Sequence, residues 1–441
     1  MRAKHQTVLV RFLALLVLSL IPCTAATAAE PPAEPILRLE TGMHTAPIRR
    51  IGLDADGRWL VTASDDKTVR LWELPSGRLV RVLRPPIGEG DEGKLFSAAV
   101  SPDGRQIACG GWTQFNKGSL FVASDGYAIY IFDRATGRLT GRIPGLPNVI
   151  DHLAYSPDGR YLAACLGDGG IRVYKTGDLS LAGGDEDYGG RSYGAHFSPD
   201  GRLATSSYDG YLRLYSRDFR LLAKRKAPGG SRPYSVGFSP DGQKIAVGYH
   251  DSTRVDVLSG ADLSHLFSPD TTGIDNGNLV SVSWSADGRV LYAGGMYDDG
   301  TENIPIILWD DGGRGRRTSL PGAPDTIMDI RPLKDGGFAY GAAGPAWGVY
   351  DQTGRRRLFI TPAQADYRAL LGNFLVSSDG TRARFGYEYG GTSPAQFDVG
   401  QGAWKRNGPG TPASFRPSPN RRDFPSRTGK IHTPPGSTAL P

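Results

Sequence analysis

Ser101-Pro102-Asp103-Gly104-Arg105 is the stretch that decides the fold, because it recurs. Asp54–Arg58, Ser156–Arg160, Ser198–Arg202 and Ser239–Gln243 repeat it as close variants. Looser copies stand at Ser285–Arg289 and Ser377–Thr381, and a weaker one at Leu333–Gly337. Successive copies are spaced by roughly 40 to 55 residues, the period of a four-stranded repeating unit. Asp-Gly closes hairpins because glycine takes a positive φ at little cost.

The neighbours of each copy repeat as well. An alternating segment such as Tyr234–Phe238 precedes the turn, and an apolar one such as Trp59–Ala63 follows it. A polar turn then leads to a third segment, Thr68–Trp72, and a Ser-Gly or Thr-Gly turn to a fourth, Arg78–Leu83. Four short antiparallel strands per unit cannot bury both faces alone, so the units must stack around a ring. The reading is all-β: a β-propeller of seven or eight four-stranded blades. The units fall near 44–84, 95–143, 148–182, 192–226, 232–267, 278–320 and 325–360. Residues 371–404 add three more strands, and Ile36–Glu40 could supply the fourth strand of that incomplete unit.

The first unit carries the fullest signature, His44-Thr45-Ala46-Pro47-Ile48 followed by Ala63-Ser64-Asp65-Asp66-Lys67-Thr68-Val69-Arg70-Leu71-Trp72. It resembles the WD-repeat family. The resemblance implies a hydrogen-bonded structural network within the blade, on His44, Ser64, Asp66 and Trp72. Other units depart from it, with Tyr215 and Tyr174 where tryptophan stands in the first. No nucleophile elbow surrounds Ser64, so the Ser/His/Asp set reads as structural rather than hydrolytic.

Residues 36–404 also resemble the amino-terminal propeller of a group of large bacterial WD-repeat proteins. Pro35–His44, Ile143–Ile150, Asp251–Gly260 and Leu308–Arg316 carry that likeness. Some members of the group continue into a caspase-like peptidase domain. The resemblance implies that this chain is a shortened form, with residues 405–441 an abrupt replacement.

The chain of 441 residues has 39% hydrophobic and 22% charged residues, a soluble globular composition. Residues 1–29 read as a secretory signal peptide: Arg2 and Lys4, an apolar run from Phe12 to Ile21, then small residues ending at Ala29. Pro22 stands where a lipid-attachment site before Cys23 needs a small residue, so a lipoprotein is not expected. No later segment is apolar enough to span a membrane, which places the mature chain in the periplasm or outside the cell. Residues 30–404 form the propeller and 405–441 a disordered Pro/Arg/Gly-rich tail. Of the net charge of +6, the first segment carries +3 and the tail +6, which leaves the body at −3. Such a body gives no electrostatic reason to bind nucleic acid. Cys109 and Cys165 each end an apolar run and read as buried thiols.

No Cys-x-x-Cys, His-Glu-x-x-His, calcium loop or phosphate loop is present, so the sequence predicts no metal, no cofactor and no catalytic residue. Loops enlarged on one face carry the candidate partner-binding rim. In the second unit these are Trp112, Phe115 and Phe121; in the sixth, Tyr297, Asp298 and Asp299. The functional expectation is a protein–protein interaction scaffold and not an enzyme. Two alternatives stay open: the sensing half of a caspase-like peptidase protein, and a propeller enzyme such as a lyase or quinone-dependent dehydrogenase.

Overall fold

The computed structural model describes residues 42–88, 90–114 and 126–362, with strand segments beyond them at 375–376, 379–385, 395–398 and 403–406. Residues 1–29, read above as a signal peptide, Ile36–Glu40, Phe115, Phe121 and residues 407–441 lie outside the described residues.

The recurring turn is held by its own side chains. Ser101 Oγ donates to Asp103 Oδ1 at 2.6 Å and accepts the Gln106 N–H at 2.9 Å, while Asp103 Oδ1 accepts the Arg105 N–H. Gly104 follows at φ +68°, where a Cβ would be strained. The same hydroxyl–carboxylate staple closes the turns at Ser156/Asp158, Ser239/Asp241 and Ser285/Asp287. In the first unit Asp54 takes over and accepts the N–H groups of Arg58 and Trp59 directly.

Each staple joins the first strand of a unit to the second, and every unit is a four-stranded antiparallel sheet in sequence order. The blades span 48–83, 95–146, 150–185, 192–226, 233–267, 281–323 and 327–360. Burial falls from the axis outward. The second strand of blade 1, Trp59–Ser64, is buried almost throughout, while the outer strand of blade 4, Leu221–Lys226, is mostly exposed and carries Lys224, Arg225 and Lys226. Charges there discourage edge-to-edge pairing.

The ring closes at seven. The inner strand of blade 7, Ile327–Pro332, packs against that of blade 1, Ile48–Leu53. A Cβ on Gly341 of blade 7 would come within 2.7 Å of the Ile51 side chain, so glycine permits this approach. Trp72 and Trp347 meet across the same junction at 5.2 Å, in a core with Ile48, Leu60 and Val349. Blade 7 supplies its own outer strand, Arg356–Ile360. The last sheet, 375–406, has four strands of its own rather than three. It is not inserted between blades 7 and 1, which corrects the eight-blade alternative.

Polar side chains near the axis stitch blade to blade. At one level of the inner strands, each accepts the N–H of the next blade. Ser97 takes Leu153, His152 takes Ala195, Ser235 takes Val282, and Asp329 takes Ile51. The last of these bonds crosses the closing junction.

Candidate binding surfaces on the ring

The enlarged loops and the blade-to-blade links share one face, called here the upper face, and the Asp-Gly staples mark the lower one. On the upper face Trp112 is half-buried. Its backbone pairs with Gly93 and Lys94 of the preceding link, and its ring meets Tyr127 edge-on at 6.0 Å. Tyr297 lies against the core of blades 5 and 6. Asp298 and Asp299 are exposed, yet their carboxylates accept loop N–H groups at Gly300 and Thr301. Asn276 clamps the backbone of Asp298 from the adjoining link. Blades 2 and 6 stand on opposite sides of a seven-membered ring, so Trp112 and the Tyr297 loop form two patches rather than one. Among the described residues no three His, Cys, Asp or Glu side chains group as a metal site.

The upper mouth of the channel holds a cluster that the sequence reading missed. Tyr193 lies 4.3 Å from Tyr208 and stacks on Tyr234 at 4.9 Å, centroid to centroid, and His250 joins at 5.6 Å from Tyr208. Arginines lie over the ring faces: Arg191 on Tyr193, Arg232 on Tyr208 and, from below, Arg50 on Tyr234. Arg191 also holds the buried Asp151 in a two-pronged pair at 2.7 and 3.1 Å. Burial pushes the Asp151 carboxyl up to about 6 against the pull of Arg191 and Arg50. Burial, with the Asp151 charge, pushes the Tyr193 phenol up to about 12, and burial with its tyrosine neighbours pushes Tyr208 upward too. At neutral pH these phenols therefore stay protonated donors. The signal was present in the sequence as a doubled Arg-x-Tyr, Arg191-Ser192-Tyr193 and Arg232-Pro233-Tyr234, one in each of two adjacent repeats.

Below this cluster the channel is blocked. Arg50 is 3% exposed and crosses from blade 1 to donate to the Tyr193 carbonyl at 2.9 Å. Arg331 reaches from blade 7 to the His152 ring at 3.1 Å and pairs with Asp329. The lower half of the channel is a cavity of about 620 Å³ that opens among the Asp-Gly turns.

A family model for the WD domain, G-beta repeat, matches residues 37–73, 139–175 and 191–216. The chain carries WD repeats on a seven-bladed propeller. Coronin-7 of Rattus norvegicus is 32% identical over 142 residues, 31% of this chain and 14% of that protein. The LST8 homolog of Drosophila melanogaster is 28% identical over 171 residues, 35% of this chain and 47% of that protein. WD repeat-containing protein SL1-17 of Schistosoma mansoni is 26% identical over 166 residues, 37% and 48% respectively. The matched stretches thus span less than half the length of each of these relatives. The match at 139–175 begins on the outer strand of blade 2 and ends on the third strand of blade 3, so the WD repeat is offset by one strand from the blade.

The WD network of blade 1 is present with one exchange. His44 Nδ1 meets Asp66 Oδ2 at 2.8 Å. The hydroxyl that joins His44 Nε2 (2.6 Å) to Trp72 Nε1 (3.0 Å) belongs to Thr62. Ser64 instead donates to the Ala46 carbonyl and accepts the Asp66 N–H. Thr62 sits one pleat earlier on the same strand, and its side chain shares the face that His44 and Trp72 approach. Charge and hydrogen bonds from His44 and Thr68 hold Asp66 down at about 2 despite burial. Blade 4 builds a substitute network from tyrosines: Tyr188 bonds Thr205 and Tyr215, and Tyr215 donates to Asp185. In blade 7 Trp347 Nε1 is buried without a hydrogen-bond partner among the described residues.

Proposed function

We propose that this WD-repeat propeller is an exported scaffold that binds a protein partner across the upper face, with Tyr193, Tyr208, Tyr234 and Arg232 as the central anchor. The observation that supports this is the cluster itself. It gathers aromatic edges, protonated phenols and arginines at the centre of a rigid ring, and such residues dominate binding energy at interfaces. Trp112 and the Tyr297–Asp299 loop would frame the same face as an outer rim. Export rests on the pattern of residues 1–29. The proposed activity is binding rather than turnover.

The test uses the full chain in its source cells, with a photo-crosslinking residue at Tyr208 or, as control, at Asp241 on the lower face. A discrete protein adduct at 208 that is absent at 241 supports the proposal. Equal labelling at both, or none at 208, overturns it. Amino-terminal sequencing of the mature chain from the exported fraction should begin at Glu30; retention of Met1 with the protein in the cytosol would refute export.

A further inference from the structure

The lower cavity has a chemistry of its own, on the opposite side of the arginine barrier from the upper cluster. At one level of the inner strands the wall is made of Gly52, Ala99, Ala154 and Gly237. These residues leave the cavity wide, and their side chains can offer no hydrogen bond. The remaining positions at that level are His196, Ser283 and Arg331, from blades 4, 6 and 7.

Each of these three keeps a donor in reserve. His196 Nδ1 accepts the Phe238 N–H at 3.1 Å, so the ring proton must sit on Nε2, which has no partner among the described residues. The Ser283 hydroxyl makes no hydrogen bond among the described residues, while its backbone pairs opposite Tyr292. Arg331 spends Nε and Nη2 on Asp329 and His152, which fixes the guanidinium and leaves Nη1 without a partner among the described residues. Burial and the nearby Arg331 hold His196 down at about 4, so it stays a neutral donor at neutral pH. The carboxylate on the lining, Asp54 at the mouth, is turned to the N–H groups of Arg58 and Trp59. Hydrogen-bond donors from blades 4, 6 and 7 and small side chains from blades 1, 2, 3 and 5 therefore share one level of the cavity, and Arg50, Arg331 and Asp329 close it on the side of the upper cluster.

We infer that this cavity is a binding site for a carboxylate on an apolar stem, seated with its head toward His196 Nε2, Ser283 Oγ and Arg331 Nη1. Charge-assisted bonds to a fixed guanidinium reward an anion. The prolines of the turns below that level, Pro102, Pro157, Pro199 and Pro240, give an apolar stem a wall to lie against. A dead-end channel admits such a ligand head first.

Titration calorimetry of the intact protein with hexanoate, hexan-1-ol and hexylamine tests this. Saturable one-to-one binding of hexanoate is expected, with the alcohol and the amine at least tenfold weaker. Arg331→Met should lower hexanoate affinity at least tenfold. Because Arg331 also supports Asp329, Ala154→Leu provides a second variant: it fills the cavity from a wall that makes no side-chain hydrogen bond, and it should abolish binding while the melting curve stays cooperative. Failure of hexanoate to bind at millimolar concentration overturns the inference. So does equal affinity for all three probes, or undiminished binding in a folded Ala154→Leu variant.

Discussion

Asp329→Ala should weaken the whole ring, because one carboxylate serves two buried purposes at the junction where the ring closes. It accepts the Ile51 N–H of blade 1 at 3.2 Å, and it faces Arg50 at 4.0 Å and Arg331 at 3.1 Å. Arg50 is almost wholly buried, so loss of Asp329 leaves that cation with Asp151 as its remaining nearby carboxylate; breaking a buried pair costs about 3–5 kcal/mol. The orphaned Ile51 N–H adds about 1–3 kcal/mol if nothing replaces the bond. Arg331 is a quarter exposed and can rehydrate, so its share is smaller. The two costs arise at one site and do not add in full, which puts the expected loss at about 3–5 kcal/mol. For a domain of this size that is a fall in Tm on the order of 10 °C. Urea unfolding of the intact chain measures it. Asp329→Asn keeps an acceptor for Ile51 and should lose about half as much. The double variant Asp329→Ala/Arg50→Met should recover much of the loss, since the buried charge is its cause. An Asp329→Ala protein within about 1 kcal/mol of the parent, or no recovery on removing Arg50, would refute the account of the closing junction.

Thr62→Val should cost about 1–3 kcal/mol in urea unfolding, because it strands His44 Nε2 and Trp72 Nε1 in the core, and Thr62→Ser should restore most of it. Asp151→Asn tests the raised carboxyl. A folded-state value of about 6, above the unfolded one near 3.8, means the parent holds its proton more tightly when folded. The contribution of Asp151 is therefore fully present below pH 3.8 and is lost as pH rises to 6, by at most about 3 kcal/mol. The stability difference, parent minus Asp151→Asn, should fall between pH 4 and 6 and then level off; a flat or rising difference would count against it. Burial pushes the Cys165 thiol up to about 12 and raises Cys109 as well, so neither should react with an aromatic disulfide reagent in the native protein, and both should react in guanidinium. Rapid native labelling of either would show that the second strands of blades 2 and 3 open.

Most of the ring was legible in the sequence. The Ser-Pro-Asp-Gly turn is a local device: hydroxyl, carboxylate and glycine lie within a few residues, so their pattern survives in one dimension. The apolar inner segments declare themselves by alternation and by their distance from those turns. The exchange of Thr62 for Ser64 shows where such reading stops. Both are hydroxyls on the same face of one strand, two residues apart, and only the approach of His44 from another segment selects between them. The central cluster was missed for a related reason. Tyr193, Tyr208, Tyr234 and His250 come from four segments of two blades, and no spacing along the chain brings them together.

The sequence by itself determined the class of fold, the repeat and the positions of the turns, because each rests on contacts between residues near in the chain. It left the blade number open, since the unit near 325–360 is followed by three more strand-like segments in 371–404. Closure depends on whether the first and last inner strands can meet face to face. Tertiary packing decided that, through the room left by Gly341, the Trp72–Trp347 contact and the bond from Asp329 to Ile51. The same long-range packing placed Arg50 and Arg331 across the channel and split it into an aromatic upper mouth and a donor-lined lower cavity. Side chains that cross a ring meet partners more than a hundred residues away, and only the closed ring sets those distances.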